Sequence, residues 1–190
     1  MSSELRLMLA PRDTYARLAR VPSGIGPVRA LRRPLVAAIA LGVSVATAAT
    51  GHATPLLVVS ATICWTLAIA IQAAIAIALI AGPAQRTVGL WRAFDLFFAS
   101  HTPWSLWFLA AAAWAPSPLG RPLLPVLVAA LAPLVLTPCI IAAFFREVLE
   151  MDPREARART VVHQAVTWLA FAALAAWAFA LPPRVVEWFG

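Results

Sequence analysis

Residues 34–85 set the hydrophobic pattern of the chain: the stretch carries no Asp, Glu, Lys or Arg and is bounded by Arg33 and Arg86. A bilayer core is about 30 Å thick and takes about 20 helical residues to cross. The stretch is too long for one crossing and suits two. Gly51-His52-Ala53-Thr54-Pro55 is the turn-like cluster at its centre. The pattern predicts a transmembrane hairpin, 34–50 and 55–82. Three further apolar runs follow, at 103–115, 123–145 and 161–181. The expected fold is all-α: a polytopic membrane helical bundle of about five transmembrane helices, 34–190, behind a cytoplasmic amphipathic arm and linker, 1–33.

Within the arm, Leu5, Met8 and Leu9 can share one helical face, with Leu7 flanking it. Tyr15 and Leu18 fall at i,i+3 in a second short segment, among Arg12, Arg17 and Arg20. Apolar residues that dip into the interface while Arg holds phosphates describe a helix lying on the membrane. The basic leader is longer than that of a signal peptide and one apolar run follows another, so retention is expected over cleavage after Ala46-Thr47-Ala48. A Pro/Gly-rich linker, 22–27, ends the arm.

In the spans, small residues at four-residue spacing (Gly42, Ala46, Thr50; Ala70, Ala74, Ala78) predict close helix approach. Gln72 is the most polar group deep in the second span. It reads as an interhelical hydrogen bond or as a polar point on a transport path. In 88–101, Val88, Trp91, Phe94 and Phe98 recur on one face, with Arg92 and Asp95 opposite and able to pair. The pattern fits an interfacial helix or a kinked extension of the third span. Thr102-Pro103 looks like a helix start. Trp104, Trp107 and Trp114 suit interfacial anchoring. Pro133 and Pro138 are expected to kink the fourth span. Asp152-Pro153-Arg154-Glu155 carries the signature of a capped helix start. Arg146 with Glu150, and Glu155 with Arg159, sit at pairing distance on a helix. Pro182-Pro183 is expected to end the fifth span.

Composition supports lipid as solvent: the chain is 62% hydrophobic and 12% charged, against about half and a quarter in soluble domains. The net charge of +7 comes from 15 basic residues, all Arg. An Ala-rich, Lys-free chain points to a GC-rich bacterial genome. In this setting Arg reports orientation and contact with anionic head groups before it reports nucleic acid. With five spans, thirteen Arg fall on the N-terminal side and two on the other. The expected placement is a multi-pass protein of the inner membrane, with the N-terminus cytoplasmic and the C-terminus outside. The expected partners are the lipid bilayer, through anionic head groups at its cytoplasmic face, and a membrane protein; no nucleic acid is expected. Cys64 and Cys139 lie in apolar segments and read as buried small hydrophobes. His52, His101 and His163 stand alone in sequence, without metal-ligand spacing, and no cofactor is expected.

Leu9-Ala10-Pro11-Arg12-Asp13-Thr14-Tyr15-Ala16-Arg17-Leu18 places a proline, then Thr-aromatic, then an aliphatic residue just before the expected five spans. The stretch resembles the bacterial branch of the Yip family, and the region around Gly89, Phe94 and Pro103 is similar to that family's middle region. The resemblance implies a cytoplasmic N-terminal part, five spans and a short C-terminus outside. It singles out Pro11, Thr14, Tyr15 and Pro103. Eukaryotic members are linked to Rab GTPases and vesicle traffic, whereas bacterial members have no settled biochemical activity.

No Ser/His/Asp set, HExxH, paired intramembrane carboxylates or glycine-rich phosphate loop occurs in the sequence. The expectation is a non-enzymatic membrane scaffold or adaptor of the Yip type. One alternative is a channel or carrier subunit, resting on Gln72, Thr137 and the broken fourth span. Another is a membrane-embedded lipid-modifying enzyme using His101 with Asp95 or Arg92.

Overall fold

A computed structural model describes residues 3–21, 24–52, 54–114 and 124–189. Every element among them is a helix: α1 (Ser3–Leu9), α2 (Pro11–Arg20), α3 (Pro27–Ala30), α4 (Arg32–Thr50), α5 (Pro55–Arg86), α6 (Leu90–Ala99), α7 (Thr102–Trp114), α8 (Leu124–Ala129), α9 (Leu131–Glu147) and α10 (Pro153–Phe189). Among the described residues, three stretches are long and apolar enough to cross a membrane: Pro27–Ala48, Pro55–Arg86 and Leu124–Glu147. Helix α7 has 13 residues, fewer than the roughly 17 that span a hydrocarbon core.

The α4–α5 hairpin turns where the charge-free stretch predicted it. The Gly51 amide caps α4 by bonding the Thr47 carbonyl at 2.8 Å, and the Thr54 hydroxyl accepts from the Leu57 amide at the start of α5. Helix α4 packs against both α5 and α7. Gly42 permits the first contact. A Cβ built on it would lie 2.1 Å from Thr62 Oγ1 and 2.9 Å from Thr62 backbone atoms. Ala46 is buried beside it, as the small-residue spacing predicted. The second stripe is corrected. Ala70, Ala74 and Ala78 face outward, and α5 buries Ala68, Gln72, Ala76, Ile80 and Ala84 instead. Both stripes are rich in small residues, so spacing alone could not choose the phase. Cys64 and Cys139 are likewise exposed and unbridged, not buried.

Helix α5 runs past the expected end at 82 and through Pro83 to Arg86. Proline has no N–H to give to the carbonyl four residues back, which leaves Leu79 without its helical donor. The Arg159 guanidinium of α10 takes that carbonyl while its other nitrogen pairs with Glu155 at 3.0 Å. A predicted surface ion pair thus also staples α10 to α5. Gly89 then turns the chain into α6 with φ 82° and ψ 151°, a conformation essentially confined to glycine.

Several expected boundaries move. The run 123–145 is divided between α8 and α9 by a turn at Ala130. Pro133 cannot donate to the Ala129 carbonyl, which accounts for a break there, whereas Pro138 is carried inside α9. Asp152 caps α10 through the Arg154 amide at 2.8 Å, with Pro153 first in the helix. Helix α10 does not stop at Pro182-Pro183 but continues to Phe189. Arg146 and Glu150 are not an i,i+4 pair. Helix α9 ends at Glu147, and Glu150 adopts φ 53° in the turn that follows. The Met151 amide closes that turn on the Phe145 carbonyl at 3.1 Å. Ala53, Ala115 and Leu123, and the predicted turn at 116–122, lie outside the described residues.

The largest departure concerns the arm and residues 88–101. The arm is packed against the helices that follow it. Leu7, Tyr15 and Ala30 are buried in one core with Phe94, Phe97, Phe144, Phe145 and Ala156. Leu7 is the buried residue of α1, while Leu5 and Leu9 are exposed and Met8 is half-buried, because α1 packs on α2 and α9. Helix α6 is the centre of this core, not a surface helix. It buries Ala93, Phe94, Leu96, Phe97, Phe98 and Ala99. Ser100 and His101 separate it from α7, so it is not a kinked extension of the third span.

Candidate functional site

The functional candidates gather at the charged end of the bundle, around the C-terminus of α6. A helix leaves its last four carbonyls without helical donors, and here each finds one. Leu96 accepts the Tyr15 hydroxyl at 3.0 Å. Phe97 accepts the Ser100 amide and hydroxyl, Phe98 the His101 amide, and Ala99 the Thr102 hydroxyl at 2.8 Å. A side chain from the arm, 81 residues away in sequence, thus completes the cap of the central helix.

Tyr15 is fully buried. Burial raises its phenol pKa; the Arg33 charge opposes the shift and the Asp95 charge adds to it. The phenol stays neutral and able to donate. Its ring meets Phe144 edge-on at 5.7 Å, and Phe144 meets Phe97 at 5.5 Å. Phe97 in turn contacts His101 at 5.4 Å and His163 at 5.0 Å. Edge-to-face aromatic pairs in this range add about 0.5–1.5 kcal/mol beyond their buried area. A continuous aromatic path therefore joins the arm to two histidines.

His101 and His163 correct the expectation of isolated histidines: their rings stand 5.6 Å apart, edge to face. His101 Nδ1 meets the Ser100 hydroxyl at 3.1 Å, and His163 Nε2 faces the Thr167 hydroxyl at 3.5 Å. His101 Nε2 and His163 Nδ1 are buried without a hydrogen-bond partner. Burial, then the neighbouring His163, pushes His101 down to about 3, against a smaller opposing effect of the Phe97 backbone. The imidazole is neutral at physiological pH and is packed as an aromatic ring. Asp95 and Arg92 are turned to another task. Asp95 accepts from Arg33 Nε at 3.1 Å and lies 3.9 Å from Arg92. Arg33 also reaches Glu4 of the arm at 3.4 Å. Arg92 donates to the Leu18 carbonyl at the end of α2.

Of the residues marked in the sequence, Thr14, Tyr15, Gln72 and His101 are buried, as is Pro103 near the start of α7. Pro11 is half-buried at the first position of α2. Tyr15 and His101 come together through the aromatic path. Gln72 does not join them: it lies with Thr167 and apolar side chains of α5 and α10 around a space too small to hold a water. Thr137 is buried with its hydroxyl unpartnered. The sequence reading missed His163, Phe97 and Phe144 as members of one cluster, and Arg33 as the residue linking Glu4 to Asp95. Only the phase of α10, fixed by the Asp152-Pro153 cap, carried a local signal for any of them.

Among the described residues, no group of three or more His, Cys, Asp and Glu is placed to hold a metal ion. No protein-family model, no curated protein and no solved structure matches the chain.

Proposed function

We propose that the protein is a non-enzymatic scaffold or adaptor of the inner membrane, crossing the bilayer five times with its arm in the cytoplasm. In this reading the crossings are α4, α5, α7 across a locally thinned bilayer, α8 with α9, and α10. One observation carries the proposal: the arm is folded into the bundle through Tyr15, whose hydroxyl caps α6. A basic leader that only sets orientation has no need of a fully buried tyrosine. The docked arm presents Arg12, Arg17 and Arg20 at the same end as Arg154 and Arg157, all exposed. A basic, exposed platform fits the binding of an acidic partner surface. The Yip resemblance enters this reading through Pro11, Thr14 and Tyr15.

Proteoliposomes test it against the carrier alternative. Reconstituted protein is expected to leak ions and small solutes no faster than protein-free vesicles. A solute flux that saturates, and that Gln72→Leu abolishes, would overturn the scaffold reading.

A further inference from the structure

Where the arm meets α4, α6 and α7 there is a groove of about 560 Å³, within the range of small-ligand sites. Its rim carries Arg29, Arg32, Arg33 and Arg92 against Glu4 and Asp95. Arg33 and Arg92 are engaged with those carboxylates. Arg29 and Arg32 are exposed and, among the described residues, have no carboxylate partner. Arg92 Nε is buried without an acceptor. The rim therefore holds two uncompensated positive charges and an unused guanidinium donor.

The groove changes character along its length. Beyond the arginines it is lined by Val36 of α4 and by Leu106 and Leu109 of α7, which are about half exposed. Arg29, Arg32 and Arg33 sit at the start of the Pro27–Ala48 stretch, and the aliphatic residues lie within or beside it. A basic mouth opening onto an apolar trough matches an anionic head joined to an alkyl chain, and does not match a fully soluble anion. Guanidinium forks pair with phosphate oxygens with both charge and geometry.

We infer that this groove is a binding site for an anionic phospholipid of the bilayer. The phosphate sits over Arg29 and Arg32, and one acyl chain runs along Val36, Leu106 and Leu109. The inference rests on the membrane-protein reading above and adds a ligand to the docked-arm platform: the lipid would tie α3 and α4 to α7 at the leaflet surface.

Native mass spectrometry of the full chain in neutral detergent tests it, with dioleoylphosphatidylglycerol and dioleoylphosphatidylcholine added in equal amounts. Retention after alkaline carbonate washing of membranes first checks the membrane reading separately. The wild type is expected to retain phosphatidylglycerol preferentially. Arg29→Gln with Arg32→Gln is expected to weaken that binding about ten- to thirty-fold, taking each basic residue's contribution near an anionic surface. Arg86→Gln with Arg146→Gln removes the same charge away from the groove and is expected to leave it unchanged. Millimolar glycerol 3-phosphate is expected not to displace the lipid. Equal retention by the Arg29/Arg32 variant, or equal loss in both double variants, would overturn the site. Displacement by glycerol 3-phosphate would overturn the role of the apolar trough and make this a soluble-anion site.

Discussion

Replacing Tyr15 by Phe removes one oxygen and nothing else. In a docked arm that oxygen matters, because it is the donor to the Leu96 carbonyl at the end of the central helix. Both groups are buried, so no water replaces the bond. An unsatisfied buried acceptor costs about 1–3 kcal/mol. Tyr15→Ala also empties the ring's place against Phe144 and is expected to cost about 3–5 kcal/mol in total. For a chain of this length each kcal/mol shifts the midpoint by about 2–4 °C. Thermal unfolding in detergent, followed by tryptophan fluorescence, is thus expected to fall by about 2–12 °C for Tyr15→Phe and further for Tyr15→Ala. Leu5→Ala, at an exposed arm position, is the matched control and should leave the midpoint in place. If both Tyr15 variants unfold within about 1 °C of wild type, the arm is not part of the folded unit.

Three further outcomes follow from named contacts. Gly42→Ala drives a Cβ into Thr62 and is expected to cost about 1–3 kcal/mol in thermal unfolding, whereas Gly82→Ala, with open space around it inside α5, should be neutral or stabilising by up to about 1 kcal/mol. Glu150→Gly relieves the positive φ that closes α9 and is expected to stabilise by about 1 kcal/mol in the same assay. His101 is held near 3 in the fold, below its ordinary value of about 6.5. The unfolded chain therefore binds the extra proton as pH drops below 6.5, and stability falls with it, by about 1–2 kcal/mol at pH 5.5. Above about pH 7.5 this group contributes almost no slope. His101→Gln should flatten the acidic limb of a midpoint-against-pH curve.

What could be read in advance was what chemistry writes locally. The hairpin follows from the absence of charge between Arg33 and Arg86, and its turn from Gly51 and Pro55. The start of α10 follows from Asp152 and Pro153, whose cap is present in the structure. The position of α6 was not legible. A helix with Trp91, Phe94 and Phe98 on one face has the same pattern whether it meets lipid or protein. The decision depends on what else needs covering, and the residues that cover it, Leu7, Tyr15 and Phe144, come from opposite ends of the chain. The histidine pair was hidden for the same reason. His101 and His163 are brought together only once Phe97 is buried between α6, α9 and α10. The α5 stripe failed differently. Ala occurs on both faces, and Gln72 was the one residue that marked the inward phase. Reading the stripe through Gln72 gives Ala68, Ala76 and Ile80, the face that is buried.

Topology reporters give the most direct test of a multi-pass protein with its arm inside. A periplasm-dependent reporter fused after Met151 should be silent and one fused after Gly190 active, since α10 then makes the final outward crossing. Activity at Met151, or silence at Gly190 in a fusion that still resists carbonate extraction, would contradict the five-crossing arrangement and the cytoplasmic placement of the arm.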